Sequence, residues 1–119
     1  MSELVLQRRY GVEDLGEERL RLIVGSVTGA MPTDEIIIFG SYARGEATDE
    51  SDVDILVLTP LSGNSLRDAY VDAGLRMWDL DKNTDFLVYN TEKFKRFIEG
   101  GASFALDVAK DGVVIYGQR

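Results

Sequence analysis

Residues 38–57 combine a glycine-serine turn with two closely spaced carboxylates. An apolar run ends in Gly40 and Ser41, ten residues follow, and Asp52-Val53-Asp54 then opens a second apolar run. Glycine lets a phosphate approach the backbone, the N–H groups of a following helix would point at that anion, and Mg²⁺ prefers carboxylate oxygens. These are the parts needed to transfer a nucleotide from a nucleoside triphosphate, and the sequence predicts this chemistry.

The two carboxylates are expected to share one face of a strand, because side chains alternate between faces. Two carboxylates about 4 Å apart repel by roughly 4 kcal/mol at an effective dielectric near 20 unless a cation lies between them. A third carboxylate would hold a second metal or accept the proton of an attacking hydroxyl. Asp85 is the candidate, since it opens the next predicted strand and could lie beside Asp52 and Asp54.

The composition removes several other chemistries. The 119 residues include no His and no Cys, which excludes Ser-His-Asp and Cys-His catalysis, disulfides, and zinc sites built on imidazole or thiolate. The net charge is −8, from 13 basic and 21 acidic residues. An acidic surface repels a polyanion, so nucleic acid is rejected as the main partner, whereas a nucleotide carried with Mg²⁺ remains acceptable.

The elements that position these residues follow from the apolar pattern. Helices are predicted over residues 13–28, 65–79, 91–99 and 104–110, with a short helix from Ser41, and strands over 35–39, 54–58, 85–89 and 113–116. Ser65 with Asp68 is expected to form a capping box, and Thr91 to cap its own helix. The alternation predicts a single α/β domain over residues 1–119, with three or four strands covered by helices.

Two further expectations concern the surface and location of the protein. No apolar stretch near the amino terminus is long enough for a signal peptide, so we expect a soluble, cytoplasmic protein without a membrane partner. Four aromatic residues are predicted to lie in the core, which leaves a homodimer open without arguing for one: Trp78, Phe94, Phe97 and Phe104.

Each part of the pattern also has a plainer interpretation. Gly-Ser after a strand is usually a turn, and Asp-x-Asp is usually a solvated loop edge. An EF-hand is excluded, because Gly after the third ligand and Glu at the twelfth position are missing, and no P-loop sequence occurs. The conjunction of the two parts is much rarer than either alone, and it favours the functional interpretation.

The same residues resemble a known family. Gly40-Ser41 and Asp52-x-Asp54 match the nucleotidyltransferase signature of the DNA polymerase β superfamily, and Gly-Ser-x-Ala-Arg-Gly with Ser-Asp-x-Asp resembles its minimal nucleotidyltransferase branch. The resemblance implies a nucleotidyltransferase fold of class α/β (α+β) with a mixed sheet, ATP as substrate, and Mg²⁺, with two ions expected.

The resemblance also implies roles for individual residues. Gly40 and Ser41 would hold the triphosphate, Asp52 and Asp54 would bind Mg²⁺, and Asp85 would complete the triad. In the family an apolar residue usually precedes the third carboxylate, but Thr84 stands in that place here. Asp79 and Asp81 are therefore alternatives to Asp85. Arg44 would either neutralise a phosphate or lock the turn by a salt bridge.

Finally, the resemblance implies a partner protein. Members of this size are commonly antitoxins that move AMP from ATP onto a tyrosine of a helical toxin with a HEPN-type nuclease domain, and so silence it. Two other classes stay open: an antitoxin that acts by binding alone with an idle nucleotide site, and an enzyme that modifies a small molecule such as an aminoglycoside.

Overall fold

The computed structural model describes residues 8–117 and contains a four-stranded sheet with helices on both faces. The strands are β1 Glu35–Phe39, β2 Val53–Thr59, β3 Thr84–Asn90 and β4 Val113–Gly117. The helices are α1 Gly16–Ala30, α2 Gly40–Ala43, α3 Gly63–Arg76, α4 Thr91–Glu99 and α5 Ser103–Asp111, with 3₁₀ turns at Val12–Leu15 and Met77–Asp79. Residues 1–7, which bear on the signal-peptide expectation, lie outside the described range, as do residues 118–119.

The sheet is mixed, as expected, and its strand order is β3-β2-β1-β4. Strand β1 pairs antiparallel with both β2 and β4, whereas β2 and β3 run parallel. A parallel pair needs a crossover connection, which α3 supplies between β2 and β3. The start of β2 therefore lies between the end of β1 and the start of β3. The predicted α/β architecture is confirmed.

Two apolar clusters, one on each face, hold the helices to the sheet. Because side chains alternate along a strand, Ile36 and Ile38 enter the cluster beneath α1 and α3, while Ile37 enters the one beneath α4 and α5. Ile23 and Val27 of α1 are fully buried, and Phe94 of α4 is buried as expected. Within residues 8–117, no helix has the length and apolar character that crossing a bilayer requires.

The prediction that Trp78 belongs to the core is wrong, since its side chain is 83% exposed. The face of α3 that meets the sheet carries Ala69 and Ala73, and Met77 continues it into the 3₁₀ turn. Trp78 follows Met77 and is rotated by about 100° from that face, so it points into solvent. Phe104 is also partly exposed, at 37%.

Two predicted helix caps differ from the structure. Helix α3 begins at Gly63 after Ser62, not at a capping box of Ser65 and Asp68. Ser62 is itself a favoured N-cap residue, and its carbonyl accepts a hydrogen bond from the Leu66 N–H at 3.3 Å. The N-cap of α4 is Asn90, whose side chain accepts from the Lys93 N–H at 3.1 Å, one residue before the expected Thr91.

Thr59, at the end of β2, generates a stability prediction. Its hydroxyl is fully buried, donates to the Pro32 carbonyl at 2.7 Å, and accepts from the Leu61 N–H at 3.2 Å. Thr59→Val keeps the shape but removes both bonds, so we expect a loss of about 1–3 kcal/mol in the free energy of unfolding, measured by urea denaturation.

The control for this substitution is Thr28→Val in α1. The Thr28 hydroxyl bonds the Val24 carbonyl at 2.8 Å, but that carbonyl also lies within the helix and keeps a backbone partner. We expect Thr28→Val to lower the free energy of unfolding by less than half as much as Thr59→Val does. Equal losses in the two variants would contradict the prediction.

Candidate active site

The predicted site residues meet at one end of the sheet. Gly40 directly follows β1, while Asp54 and Asp85 are the second residues of β2 and β3. In the sheet register Asp54 lies opposite Phe39 on one side and opposite Asp85 on the other. Neighbouring strands lie about 4.8 Å apart, so the strand pairing alone brings the two carboxylates together.

Gly40 is in close contact with Asp54. Its φ of +72° lies in the left-handed region, and a Cβ atom built on it would lie 2.0 Å from the Asp54 Oδ2 atom. A side chain at position 40 would therefore both strain the backbone and displace the carboxylate. Glycine at this position leaves the end of β1 open directly beside the Asp54 carboxylate.

The electrostatics of Asp54 reflect its neighbours. The side chain is half-buried, and this burial, followed by the negative charges of Asp85 and Asp52, raises its pKa, while Arg44 lowers it. Repulsion among the carboxylates outweighs the attraction of Arg44. The charge at this end of the sheet is thus incompletely neutralised by the protein, which is the condition that a bound cation relieves.

Asp52 lies one residue before β2 and is exposed. Within residues 8–117, no three carboxylates stand close enough together to hold a metal ion as they are placed. The structure therefore brings Asp54 and Asp85 together as a pair, with Asp52 near enough for its charge to raise the pKa of Asp54. The oxygen donors and their unrelieved repulsion fit a hard divalent cation such as Mg²⁺.

The turn after β1 gives Arg44 and Ser41 different environments. Arg44 donates from Nε to Glu46 Oε1 at 3.0 Å, so the salt bridge that would lock the turn is present. Both side chains are largely exposed, and such a pair contributes little to stability. The Ser41 hydroxyl makes no hydrogen bond within the described part of the chain, which leaves it available to a ligand. Tyr42 is 4% exposed and packs in the core.

The two alternative third carboxylates lie apart from the pair. Asp81 is bound by Arg19 through two hydrogen bonds of 2.7 and 3.0 Å, and this guanidinium lowers the pKa of Asp81. Asp79 is exposed in the 3₁₀ turn after α3. Only Asp85 is a register partner of Asp54, so the geometry favours it as the third carboxylate.

Two features of the surface were not anticipated from the sequence. A cleft of about 760 Å³ opens beside Asp85, between β3 and the end of α3. A cleft of about 860 Å³ lies at the other end of the sheet and includes Asn90 and Tyr116. The second cleft contains neither the glycine turn nor the paired carboxylates. No single residue reveals either cleft, because each arises from the packing of elements distant in sequence.

Comparison with known proteins identifies a family that covers most of the chain. A family model described as a nucleotidyltransferase domain matches residues 18–111, which include every candidate site residue. A candidate protein adenylyltransferase of Methanocaldococcus jannaschii is 34% identical over 82 residues, which make up 69% of this chain and 77% of the relative.

Solved structures share the fold. A crystal structure of a toxin–antitoxin with AMP-PNP superposes with a TM-score of 0.57 at 23% identity, covering 84% of this chain and 74% of that chain. A candidate nucleotidyltransferase from Sulfolobus solfataricus superposes with a TM-score of 0.58 at 24% identity, covering 88% and 86%. At these identities the likenesses show the architecture.

The contact between Gly40 and Asp54 generates a prediction with a matched control. Gly45 has almost the same φ as Gly40, +70°, but a Cβ on it would meet nothing within 4 Å. Gly40→Ala and Gly45→Ala should therefore carry similar backbone strain, about 1 kcal/mol or more. We expect Mg²⁺ with ATP to raise the melting temperature of the wild type, and only Gly40→Ala should abolish that rise. Equal ligand shifts in the two variants would contradict this placement of the site.

The raised pKa of Asp54 gives a prediction about pH. In the folded protein Asp54 holds its proton above the ordinary pKa of 3.8. The free energy of unfolding that Asp54 contributes therefore falls as the pH rises from 3.8 through the higher pKa of the folded protein. In metal-free buffer at neutral pH, Asp54→Asn should melt at a higher temperature than the wild type, with the difference shrinking on acidification. Asp79→Asn should show no such gain, and a lower melting temperature for Asp54→Asn would contradict the argument.

Proposed function

Because this chain belongs to the family of nucleotidyltransferase domains, as its resemblance to the minimal nucleotidyltransferases predicted, we propose that it moves AMP from ATP to a tyrosine hydroxyl of a partner protein. The observation that carries the proposal is the placement of Asp54 against Gly40 on one side and beside Asp85 on the other. It joins a backbone turn open to phosphate with carboxylates suited to acid–base work and cation binding.

In the proposed reaction, the acceptor oxygen attacks the α-phosphorus of ATP. A new bond forms between that oxygen and the phosphorus, and the bond from the α-phosphorus to the bridging oxygen breaks. Pyrophosphate leaves with the electron pair, and the acceptor proton passes to the Asp85 carboxylate. Gly40 and Ser41 position the triphosphate, so that the attacking and leaving oxygens stand in line.

Asp52 and Asp54 would hold Mg²⁺, with Asp85 as a further ligand if a second ion binds. The ion would neutralise charge on the phosphate oxygens. Asp54 has a second task, because its contact with Gly40 fixes the distance between the carboxylates and the turn. Arg44 remains a candidate for a phosphate contact, which would require it to exchange Glu46 for the ligand.

The acceptor is proposed to be a protein on two grounds. The relative that is 34% identical carries the name of a candidate protein adenylyltransferase, and a structure with the same fold is that of a toxin–antitoxin. We propose that the partner is a HEPN-type toxin, that modification of its tyrosine silences it, and that the reaction takes place in the cytoplasm. The single domain over residues 1–119 supplies the nucleotide site, and the partner supplies the acceptor.

The proposal is tested by measuring the transfer of ³²P to protein from ATP that carries the label at its α-phosphate. The protein is incubated with Mg²⁺ and a lysate of its native host, and proteins are separated on a denaturing gel. A labelled protein band is expected with the wild type. An Asp52→Asn/Asp54→Asn double variant should label it at least a hundredfold more slowly. Both proposed metal ligands are changed in this variant, and one of them, Asp54, is also the carboxylate that contacts Gly40.

Two single variants sharpen this result. Asp85→Asn should slow labelling while the ligand-induced rise in melting temperature persists, because the proton acceptor is lost but the triphosphate turn remains. Asp79→Asn makes the same chemical change at an exposed position and should label at the wild-type rate. If no band appears although Mg²⁺ with ATP still stabilises the wild type, the protein acceptor is wrong, and a small-molecule acceptor or an antitoxin acting by binding alone replaces it.

A further inference from the structure

One row of side chains stays partly open on the face of the sheet that α4 and α5 cover. Phe39, Asp54 and Asp85 are register neighbours, and alternation places them on the same face as the buried Leu56. Helix α4 packs on β2 and β3, and α5 packs on α4 and α2. Asp85 is nevertheless exposed and Asp54 is half-buried. The two helices therefore stop short of the carboxylate pair.

Phe104, near the start of α5, lies at the border of this opening. Its ring packs edge-on against Phe39, with centroids 5.4 Å apart and planes at 84°, and its centroid is 6.4 Å from that of Tyr89. Phe39 is the register neighbour of Asp54 on β1, so a single side chain lies between Phe104 and the carboxylate pair. Although two aromatic neighbours hold the ring, Phe104 is 37% exposed. The ring is thus fixed in place with part of its surface free for contact.

The proposed reaction restricts the direction in which the nucleoside lies. The attacking and leaving oxygens stand in line through the α-phosphorus. Gly40 and Ser41, beyond the end of β1, hold the pyrophosphate portion. Asp85 on β3 receives the acceptor proton, so this line crosses β2 at Asp54. The nucleoside therefore leaves the phosphorus to the side of the line, either off the end of the sheet or back over the sheet toward Phe104.

The direction over the sheet offers the base apolar contacts. Phe39, Phe104 and Leu87, which lies two residues after Asp85, carry partly exposed apolar side chains on this face. In contrast, the loop that leads into β2 at the end of the sheet is polar, since residues 48–52 read Thr-Asp-Glu-Ser-Asp. A planar base is therefore better accommodated over the sheet.

The position of Phe104 favours the base over the acceptor as its contact. Its ring touches Phe39 of β1, which lies on the same side of Asp54 as Gly40. The acceptor hydroxyl must arrive on the other side, at Asp85. Because β3 is an edge strand, an acceptor can approach from that edge without passing Phe104.

We infer that Phe104 stacks on the base of the nucleoside triphosphate and, with Phe39 and Leu87, forms the apolar wall of the base site. The inference rests on the proposed function for the placement of the triphosphate. The contact with the base can itself be measured without any transfer of nucleotide.

The test compares ATP with inorganic tripolyphosphate, which has three linked phosphates and no nucleoside. Binding of each in the presence of Mg²⁺ is measured by isothermal titration calorimetry. Phe104→Ala should weaken the binding of ATP by about tenfold or more, because the stacking of a base on an aromatic side chain is lost. The same variant should bind tripolyphosphate as the wild type does, which also shows that the triphosphate turn is still folded.

Three further variants separate stacking from packing. Phe104→Leu keeps an apolar side chain against its neighbours but has no ring face, so it should weaken ATP binding nearly as much as Phe104→Ala. Phe104→Tyr keeps the ring and should bind ATP within about twofold of the wild type. Leu106→Ala changes a residue of α5 that is 44% exposed and lies about 200° around the helix from Phe104, and it should leave the binding of both ligands unchanged.

The same variants enter the labelling experiment. Phe104→Ala should raise the ATP concentration for half-maximal labelling about tenfold and leave the dependence on acceptor concentration unchanged. If the wild type labels nothing, the proposed function fails, and the calorimetric titrations alone decide whether Phe104 contacts the base.

Five results would overturn the inference. A wild type that does not bind ATP, or a Phe104→Ala variant that binds ATP as tightly as the wild type, would remove the base contact. Equal losses of ATP and tripolyphosphate binding in Phe104→Ala would assign the effect to damage of the triphosphate turn. Wild-type ATP binding by Phe104→Leu would exclude stacking. A Phe104→Ala variant that needs more acceptor but no more ATP would assign the ring to the acceptor.

Discussion

The register of β2 between β1 and β3 is the constraint on which the candidate site depends. It sets Asp54 opposite Phe39 and Asp85, so that the carboxylates and the turn at Gly40 meet at one end of the sheet. A slip of one residue would move the Asp54 side chain to the other face. That slip is opposed by the buried residues of β2, which alternate between the two apolar clusters. The cores that stabilise the fold therefore also define the geometry of the site.

The site carries an electrostatic cost. Asp81 is exposed and paired with Arg19, whereas Asp54 is half-buried beside two like charges. Arg44 is the nearby cation, and it forms a salt bridge with Glu46. A carboxylate kept in such surroundings is a common sign of a functional site, because structural positions can relieve repulsion by substitution. Because the chain has a net charge of −8, an anionic ligand is favoured when it binds together with its own cations.

The α/β architecture could be predicted from the sequence because the apolar residues recur at clear helical and strand spacings. The unbroken run Ile36–Ile38 predicted a strand buried on both faces, and Asp85 was correctly expected beside Asp54 because strands of a small α/β sheet adjoin. The N-caps of α3 and α4 were missed by three residues and by one, since Ser62 and Asn90 are as capable of capping as Ser65 and Thr91. The exposure of Trp78 could not be inferred from residue type, because it depends on the rotation of one 3₁₀ turn. The roles of the site residues remain predictions.

The position of the site at the sheet edge bears on how an acceptor reaches it. Strand β3 has β2 on one side only, and Asp85 lies on the same face of the sheet as Asp54 and Leu87, the face that α4 and α5 cover. A domain that bound and activated a small acceptor would be expected to enclose it on several sides. A site at the open edge of the sheet instead leaves much of the acceptor's recognition to the acceptor's own surface, which suits a partner that brings its own fold.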